Sequence, residues 1–414
     1  MFLYNVLLNI LFLPLICLVF IFSIFNLRLR RTLFPRIGLN RLKRFKRKPV
    51  WFHCSSLGEF NAVKNIVSLL KSRYNEIFIT TLTDTGLKAA SEFLGKENVT
   101  ILPLDFNFLI RNFIKKLDPK VLVIEETEVW PNLIFQAGKG NIPVIYTNCI
   151  ISPKSFALYN TFRSIFRRVL EQIHIFFIQN KRTGDFLKRL GVSSGKIRYV
   201  GNIKFDLKLI LNQSPNSIKN DLHLDKKAKI LTAGSTRKGE ERILLKAFLK
   251  LKEKYGNLKL VIVPRHLNRV PEIRDILRSY KIKYKLYGKI KDDYDVLLIN
   301  KMGVLLDMYL ISDIAFIGGT MVPIGGHNPI EAAYCKKPMI SGGSIANNRE
   351  AFEKIINNKG GFLVHNEAEL INRIDHLLKN PGIMKKTGEN AYKVIKENQG
   401  ASKKIVQFIL KDIS

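Results

Sequence analysis

A short segment in the first half of the chain places a glutamate where a general base could lie. Residues 53–59 read His-Cys-Ser-Ser-Leu-Gly-Glu after an apolar run, so that small residues let the chain turn before Glu59 begins a helix. At that position the carboxylate is either an ordinary partner of the helix dipole or a base that takes a proton from an acceptor hydroxyl. The sequence leaves both interpretations open.

A second segment of the first half concentrates acidic residues after another apolar run. Residues 125–132 read Glu-Glu-Thr-Glu-Val-Trp-Pro-Asn, in which three acids precede a proline that is typical of a helix start. Crowded carboxylates raise one another's pKa, which suits acid–base chemistry or the stabilisation of a cation. A surface turn of solvated acids is the alternative interpretation.

The second half contains segments that suit phosphate and ribose. Gly234-Ser235-Thr236, expected between a strand and a helix, is a candidate phosphate cradle, although an ordinary helix cap looks the same. Arg265, in Pro264-Arg265-His266, could hold a phosphate through two hydrogen bonds or lie in solvent. Gly318-Gly319-Thr320 precedes the segment 325–331, Gly-Gly-His-Asn-Pro-Ile-Glu, where Glu331 could accept hydrogen bonds from ribose hydroxyls or simply match the helix dipole.

Metal-binding patterns are weak in this sequence. Asp293-Tyr294-Asp295 spells a D-x-D motif, which holds a divalent cation in some transferases, but it precedes a predicted strand and lies among lysines, so a solvated turn is favoured. The seven histidines lack ligand spacing. The four cysteines are far apart, which predicts neither zinc nor disulfides and fits a reducing compartment: Cys17, Cys54, Cys149 and Cys335. We therefore expect no metal.

The elements that position these segments follow from short apolar runs that alternate with amphipathic stretches. This alternation indicates parallel sheets covered by helices on both faces, with ligands at the carboxyl ends of the strands. The predicted strands are Val50–His53, Ile77–Thr81, Val99–Leu102, Val121–Ile124, Val144–Thr147, Ile175–Ile178, Lys229–Ala233, Lys259–Val263, Val296–Leu298, Ile314–Ile317, Pro338–Ile340 and Gly361–Val364. The predicted helices include Gly58–Lys71, Pro131–Ala137, Lys238–Lys254 and Pro329–Tyr334.

Two domains of the same kind are expected from this pattern. The chain has 414 residues, of which 46% are hydrophobic, enough for two cores. We predict an N-terminal Rossmann-like acceptor domain at 49–205, a polar linker region at 206–228 and a C-terminal Rossmann-like nucleotide-sugar domain at 229–384. The amphipathic stretch 385–414 is expected to pack back on the N-terminal domain.

The amino terminus predicts a membrane anchor. Residues 2–25 carry no charge and as a helix would span roughly 36 Å, enough for a bilayer core of about 30 Å. A cleaved signal peptide is the alternative, but a basic leader and a small-residue cleavage site are absent. We therefore expect a single-pass transmembrane helix at 1–27. The juxtamembrane segment 28–48 contains ten cations and no acid, which places the rest of the chain in the cytoplasm and suits an anionic leaflet.

The overall charge is strongly positive. There are 68 Lys and Arg residues against 34 Asp and Glu residues, a formal net charge of +34. Such a surplus attracts nucleic acid, anionic lipid headgroups or a phosphorylated substrate, although a biased genome composition explains part of it. A membrane-tethered nucleic-acid binder would need basic residues interleaved with exposed aromatics or a helix-turn-helix, and the sequence shows neither. We expect no nucleic-acid partner.

Several segments together resemble the 3-deoxy-D-manno-octulosonic acid (Kdo) transferases of lipid A assembly. The resemblance extends over nearly the whole chain. It is carried by HCSSLGE at 53–59, ETEVWPNL at 126–133, GNIKFD at 201–206, AGSTRKGEE at 233–241, VPRH at 263–266, Met302-Gly303 and GGHNPIEAA at 325–333.

The resemblance implies an α/β fold of GT-B type, with two Rossmann-like doubly wound domains that face a cleft. It implies an inverting glycosyltransferase that moves Kdo from CMP-Kdo to a lipid A precursor (lipid IVA) at the cytoplasmic face of the inner membrane, without an obligatory metal or other cofactor. A GT-B enzyme with a UDP-sugar donor is the runner-up.

The resemblance also implies roles for individual residues. Glu59 would be the proton acceptor, and Glu126 and Lys204 would stabilise the transition state. The CMP-binding residues would be Pro264, Arg265, Met302, Gly303, Val304, Asn328, Pro329, Ile330 and Glu331.

Overall fold

The chain forms two compact domains, each built on its own sheet. The computed structural model describes residues 33–413 apart from Thr127, 208–212, Lys226 and 289–292, together with positions 6, 10, 14 and 20–22. The first domain comprises the described residues up to Leu207 and the segment from Asn398 onwards, and the second runs from Lys208 to Glu397.

The first domain has a seven-stranded parallel sheet. Its strands are β1 (Val50–His53), β2 (Ile77–Thr81), β3 (Val99–Ile101), β4 (Val121–Glu125), β5 (Val144–Cys149), β6 (Ile175–Ile178) and β7 (Ile197–Tyr199). They lie in the order β3-β2-β1-β4-β5-β6-β7. Successive side chains of β1 alternate between two cores: Trp51 packs on one face of the sheet, and Val50 and Phe52 pack on the other. Burial on both faces explains why the central strands are continuously apolar.

Helices cover both faces of this sheet. They are α1 (Leu57–Lys71), α2 (Asp84–Leu94), α3 (Asn107–Leu117), α4 (Pro131–Lys139), α5 (Pro153–Thr161), α6 (Arg163–Glu171) and α7 (Lys181–Arg189), with short 3-10 helices at Lys96–Asn98, Ser194–Lys196 and Ile203–Asp206. Ser56 caps α1, since its hydroxyl accepts a hydrogen bond from the Glu59 amide. Pro131 occupies the first turn of α4, where its missing N–H is no loss.

The second domain repeats this architecture. Its strands are β8 (Lys229–Thr236), β9 (Leu258–Pro264), β10 (Tyr284–Leu286), β11 (Val296–Leu298), β12 (Ile314–Ile317), β13 (Met339–Ser341) and β14 (Gly361–Leu363), in the parallel order β10-β11-β9-β8-β12-β13-β14. Its helices are α8 (Pro215–Asp221), α9 (Glu240–Lys254), α10 (Val270–Ser279), α11 (Leu305–Ile311), α12 (Ile330–Tyr334), α13 (Arg349–Asn357), α14 (Glu367–Lys379) and α15 (Pro381–Glu397), with 3-10 helices at Leu267–Arg269 and Ala346–Asn348.

The final helix returns to the first domain. In α16 (Ala401–Ile413), Ile405, Val406 and Ile409 are buried in the same core as β1 and α1. The carboxylate of Asp206 accepts hydrogen bonds at 2.5 Å from the amides of Gly400 and Ser402, so it ties the start of α16 to the end of the Ile203–Asp206 helix.

The domain boundaries differ from those expected from sequence. Residues 385–397 belong to α15 and to the second domain, because Gly388 of this helix lies so close to the Lys336 carbonyl that a Cβ would overlap it. The expected linker 206–228 contains α8, which Ser214 caps and whose Ile218 is buried in the second core. A helix of seven residues is too short to show a clear period in the sequence.

The expected anchor at 1–27 and the first part of the basic segment, residues 28–32, lie outside the described residues apart from those six positions. Among the residues that are described, no helix is both long and apolar enough to cross a bilayer.

Candidate active site

Glu59 lies in the first turn of α1 and is fixed there by three hydrogen bonds. Its amide donates to the Ser56 hydroxyl at 3.3 Å, and the same hydroxyl donates back to Oε1 of Glu59 at 3.3 Å. The Ser55 amide donates to Oε2 of Glu59 at 2.6 Å. This reciprocal arrangement is close to a capping box, so Glu59 does partner the start of its helix.

The surroundings of Glu59 also raise its proton affinity. Burial, followed by the negative charges of Glu128 and Glu126, raises the pKa of Glu59 from 4.5 to about 7, against the hydrogen bonds from Ser55 and Ser56, which lower it. A helix-terminal carboxylate in solvent would instead keep a low pKa, since the helix dipole stabilises its charge. A carboxylate with a pKa near neutrality can accept a proton and hold it, as a general base must.

Glu125 and Glu126 follow one another at the end of β4 but have different partners. Glu125 is buried and accepts hydrogen bonds from the Thr147 hydroxyl at 2.7 Å and the Asn148 amide group at 2.9 Å. Burial, followed by the charge of Glu126, raises the pKa of Glu125 well above its usual range. Glu126 adopts a left-handed backbone conformation (φ 61°) and is partly exposed. Glu125 is therefore structural, whereas Glu126 is accessible.

Lys204 forms an ion pair with Glu126. Its Nζ lies 2.7 Å from Oε1 of Glu126, and both side chains are about one quarter exposed, at 23% and 24%. Burial alone would lower the pKa of Lys204, but the charge of Glu126 and the hydrogen bond to it outweigh burial and raise it. Asn148 reaches the same loop, because its side-chain oxygen accepts a hydrogen bond from the Ile203 amide at 3.2 Å. Glu59, Glu126 and Lys204 are thus gathered at the carboxyl ends of β1 and β4 and the neighbouring loop.

Gly234, Ser235 and Thr236 lie within β8 rather than in a turn after it. A bulge separates Gly234 from Thr236 in the pairing with β9, and Ser235 has a left-handed backbone (φ 58°). Glycine is required at 234 because a Cβ would overlap the hydroxyl of Tyr309. The predicted end of this strand, at Ala233, was therefore wrong by three residues. The hydroxyl of Thr236 is buried and makes no hydrogen bond within the described residues.

The glycine segment after β12 is held by a buried carboxylate that no pattern in the sequence indicates. Glu240, which begins α9, accepts hydrogen bonds from the amides of Gly319 at 2.7 Å, Thr320 at 2.9 Å and Met321 at 3.0 Å. Burial raises the pKa of Glu240 despite these hydrogen bonds. Because a protein carboxylate already binds these amides, they are structural donors rather than a free anion site.

Two arginines at the carboxyl ends of β8 and β9 form a cationic site. Arg237 donates from Nε to Nε2 of His327 at 3.1 Å and lies 2.7 Å from Nε2 of His266 through Nη1. A guanidinium only donates, so both imidazoles accept through Nε2 and are neutral. Burial and then the charge of Arg237 lower the pKa of both rings, for His327 to about 4.

Neither of these two arginines has an ion-pair partner within the described part of the chain. Arg269 forms ion pairs with Glu241 at 2.6 Å and Glu272 at 3.2 Å, but neither Arg237 nor Arg265 has an ion pair with a described carboxylate. Two such arginines suit a phosphate ligand. Arg237 directly follows β8 in the structure, but the predicted strand ended at Ala233, so the rule that indicated Arg265 did not extend to Arg237.

The other predicted nucleotide residues lie on both sides of this cationic site. Pro264 ends β9, and Met302, Gly303 and Val304 follow β11, where Met302 is 58% exposed. Asn328, Pro329, Ile330 and Glu331 follow the glycine segment after β12, and the side-chain oxygen of Asn328 accepts a hydrogen bond from the Ile330 amide at 3.0 Å. Burial raises the pKa of Glu331, and the charge of Arg265 opposes this shift. The described residues contain no cluster of His, Cys, Asp or Glu that could hold a metal ion.

Two family profiles match this chain. The family described as 3-deoxy-D-manno-octulosonic-acid transferase (kdotransferase) matches residues 31–207, and the family described as glycosyl transferases group 1 matches residues 214–394. Together the two profiles cover both domains.

Individual proteins are similar over most of the chain. A 3-deoxy-D-manno-octulosonic acid transferase of Haemophilus influenzae is 32% identical over 407 residues, which is 96% of this chain and 95% of that protein. A bifunctional glycosyltransferase/methyltransferase of Fusobacterium nucleatum is 34% identical over 79% of this chain, and the match spans about half (52%) of that longer protein.

Solved structures share the fold of this chain. The UDP-GlcNAc 2-epimerase of Neisseria meningitidis has a TM-score of 0.62 at 16% identity, covering 88% of this chain and 100% of that one. At this identity the likeness concerns the fold alone, which is the arrangement of two parallel-sheet α/β domains found in GT-B enzymes. With the profile matches and the extensive similarity to the Haemophilus protein, the chain belongs to the 3-deoxy-D-manno-octulosonic acid transferase family of glycosyltransferases.

Proposed function

We propose that this Kdo transferase takes the sugar from CMP-Kdo and transfers it to a hydroxyl of a lipid A precursor (lipid IVA), with inversion at the anomeric carbon. The observation that carries the proposal is the carboxylate of Glu59, whose pKa is raised to about 7 beside the Glu126–Lys204 ion pair. Membership of the family supports Kdo as the transferred sugar, and this group of side chains provides a base of suitable strength.

In the proposed reaction Glu59 removes the proton of the acceptor hydroxyl. The acceptor oxygen forms a bond to the anomeric carbon of Kdo from the face opposite the phosphate. The bond between that carbon and the phosphate oxygen breaks, and CMP leaves with the electron pair. Positive charge develops on the sugar ring during this step, which the carboxylate of Glu126 would stabilise, while Lys204 would stabilise the negative charges of the donor.

The donor phosphate is proposed to bind Arg237 and Arg265. Both guanidiniums carry a charge that no described carboxylate pairs with, and the hydroxyl of Thr236 is buried nearby on β8 without a hydrogen bond among the described residues. Asn328, Pro329, Ile330 and Glu331 would hold the ribose, since the Glu331 carboxylate can accept hydrogen bonds from its hydroxyls. Pro264 and the segment Met302-Gly303-Val304 would contact the nucleotide as well. No step requires a metal or another cofactor.

The membrane is the proposed location. The uncharged segment 2–25 would anchor the chain once in the inner membrane, and the cations of 28–48 would keep both domains at the cytoplasmic leaflet. A phosphorylated lipid acceptor would be concentrated at such a positively charged surface. Protease added outside intact spheroplasts should leave both domains uncut, whereas a mature chain that begins near residue 27 would exclude the anchor.

Product mass provides the direct test of function. The purified full chain is incubated with CMP-Kdo and a tetra-acylated lipid A precursor, in the presence and absence of a chelator, and products are counted in Kdo increments. We expect transfer in both conditions. Parallel reactions with UDP-linked sugars test the donor, and turnover with these but not with CMP-Kdo would overturn the proposal.

A further inference from the structure

Ser55 connects two carboxylates of the first domain. Its amide donates a hydrogen bond to Glu59 at 2.6 Å, and its hydroxyl donates to Oε2 of Glu128. The hydroxyl also lies 3.2 Å from Nε2 of His53. Ser55 itself is 4% exposed, so these bonds are made in a nearly water-free environment. The positions of Glu59 and Glu128 are therefore linked through one buried residue.

The hydrogen bonds behind Ser55 form a chain with a single direction. The indole nitrogen of Trp51 can only donate, and it donates to the Thr80 hydroxyl at 2.9 Å. The Thr80 hydroxyl lies 3.0 Å from Nδ1 of His53 and also donates to the Phe52 carbonyl at 3.5 Å. At the other end an ionised Glu128 can only accept. The bonds at both ends of the chain therefore donate toward Glu128.

This direction assigns the state of His53. Since Ser55 donates its one hydroxyl hydrogen to Glu128, Nε2 of His53 must donate to Ser55, and Nδ1 must accept from Thr80. The ring is then neutral with its proton on Nε2. His53 is 1% exposed, and burial lowers its pKa to about 3, so the ring keeps this state through the physiological range.

Glu128 is held from its other sides too. Its Oε2 accepts a hydrogen bond from the indole of Trp130 at 3.0 Å, and its backbone carbonyl accepts one from the hydroxyl of the buried Tyr146 at 2.6 Å. A side chain that accepts two hydrogen bonds and has an anchored backbone has little freedom to turn away from Glu59.

We propose that Glu128, oriented by the hydrogen-bond chain Trp51–Thr80–His53–Ser55, is a positioning residue for the Glu59 base. The fixed negative charge of Glu128 strengthens the hold of Glu59 on the acceptor proton. The inference rests on the proposed role of Glu59. The charged groups that face Glu59 are Glu128, Glu126 and Lys204, and the polar groups are Ser55 and Ser56. Lys204 is paired with Glu126, so Glu128 is the carboxylate of this set without a cationic partner among the described residues.

The pH dependence of turnover tests this proposal. In the unaltered chain kcat/KM should rise with pH about a midpoint near 7, as Glu59 loses its proton. Glu128→Gln keeps the size and removes the charge, so the midpoint should fall by about one unit. At about pH 6 the variant should then retain roughly half of its own plateau, against roughly a tenth for the unaltered chain.

Two further variants separate charge from structure. Glu128→Asp keeps the charge and should keep the midpoint near 7, whereas Ser55→Ala frees Glu128 and should lower the midpoint in the same direction as Glu128→Gln. Glu92→Gln removes an exposed carboxylate on α2 of the same domain and should leave the profile unchanged, which controls for net charge. Equal midpoints in Glu128→Gln and the unaltered chain would overturn the positioning role.

The failure of this inference is distinguishable from failure of the proposed function. If Glu59 is not the base, the rise near pH 7 is absent from the unaltered chain or persists in Glu59→Gln. If Glu59 is the base but Glu128 does not act on it, the rise is lost in Glu59→Gln and unmoved in Glu128→Gln. ¹⁵N spectra of the labelled full chain, with His53 assigned by its loss in His53→Gln, should show a neutral ring protonated on Nε2. A proton on Nδ1 would refute the proposed direction of these hydrogen bonds.

Discussion

Replacing Glu59 with glutamine separates a base from a helix cap within one residue. The amide keeps the size of the carboxylate and its hydrogen-bond acceptor for the Ser55 N–H, but it does not accept a proton. We expect turnover to fall by about 10²–10⁴-fold, the usual contribution of positioned proton transfer. A carboxylate that only partners the helix would contribute about 0.3–1 kcal/mol of stability and nothing to turnover below the melting temperature.

The pKa of Glu59 gives this prediction a second readout. Its pKa rises from 4.5 in the unfolded chain to about 7 in the folded protein, so folding favours its protonated form. The stabilisation that this gives is present below about pH 4.5 and lost as the pH rises through about 7. Glu59→Gln has no charge to bury, so relative to the unaltered chain it should gain about 2 kcal/mol of unfolding free energy across that range, after allowance for partial exposure.

Initial rates with CMP-Kdo and urea unfolding at about pH 5 and pH 8 measure both effects on the same preparations. CMP affinity should be unchanged in Glu59→Gln, because the proposed nucleotide residues lie in the second domain. Near-normal turnover would remove Glu59 from the mechanism and direct attention to Glu126. A stability difference that does not vary with pH would contradict the raised pKa.

Four further substitutions test the other parts of the structure. Arg265→Ala and Glu331→Ala should each weaken CMP binding by about ten- to a hundredfold in calorimetry, since a hydrogen bond to a charged group contributes about 1.5–3 kcal/mol. The circular dichroism spectrum should stay unchanged. Unchanged affinity in both variants would show that the second domain does not bind the donor. Glu240→Ala should lower the unfolding free energy by about 2–4 kcal/mol, because it leaves several buried amides without an acceptor. A loss below about 1 kcal/mol would contradict a stabilising role for these hydrogen bonds. Asp206→Ala should lower the unfolding free energy by about 1–2 kcal/mol, because the start of α16 loses its cap. It should also lower turnover, because Lys204 lies in the helix that Asp206 ends. Full activity would show that the cap does not position Lys204.

The central strands could be predicted from sequence because they are buried on both faces. Val50–His53, Ile175–Ile178 and Ile314–Ile317 are continuous apolar runs in the sequence and have the same bounds in the structure. The edge strands Ile197–Tyr199 and Tyr284–Leu286 were missed. Both are partly exposed, and neither forms an apolar run that distinguishes a strand from a loop.

Candidate site residues could be predicted from the residues alone where they lie shortly after a strand. This rule indicated Glu59, Glu126 and Arg265, whereas Lys204 was implied only by the family resemblance. It could not show that Glu240 clamps the amides of Gly319, because that contact joins residues 79 positions apart. The direction of the hydrogen bonds that reach Glu128 likewise depends on the side-by-side arrangement of β1 and β2, in which His53 pairs with Thr80.

The return of α16 to the first domain imposes an order on folding during synthesis. The second domain is a continuous stretch, 208–397, so all of its core is available once residue 397 has left the ribosome. The first domain begins to emerge earlier, but its core stays incomplete until Ile405 and Ile409 have been made. We therefore expect a chain truncated after Glu397 to contain a folded second domain while the face of α1 that receives α16 stays uncovered. The domain that carries Glu59 is the first to be translated and the last to be finished.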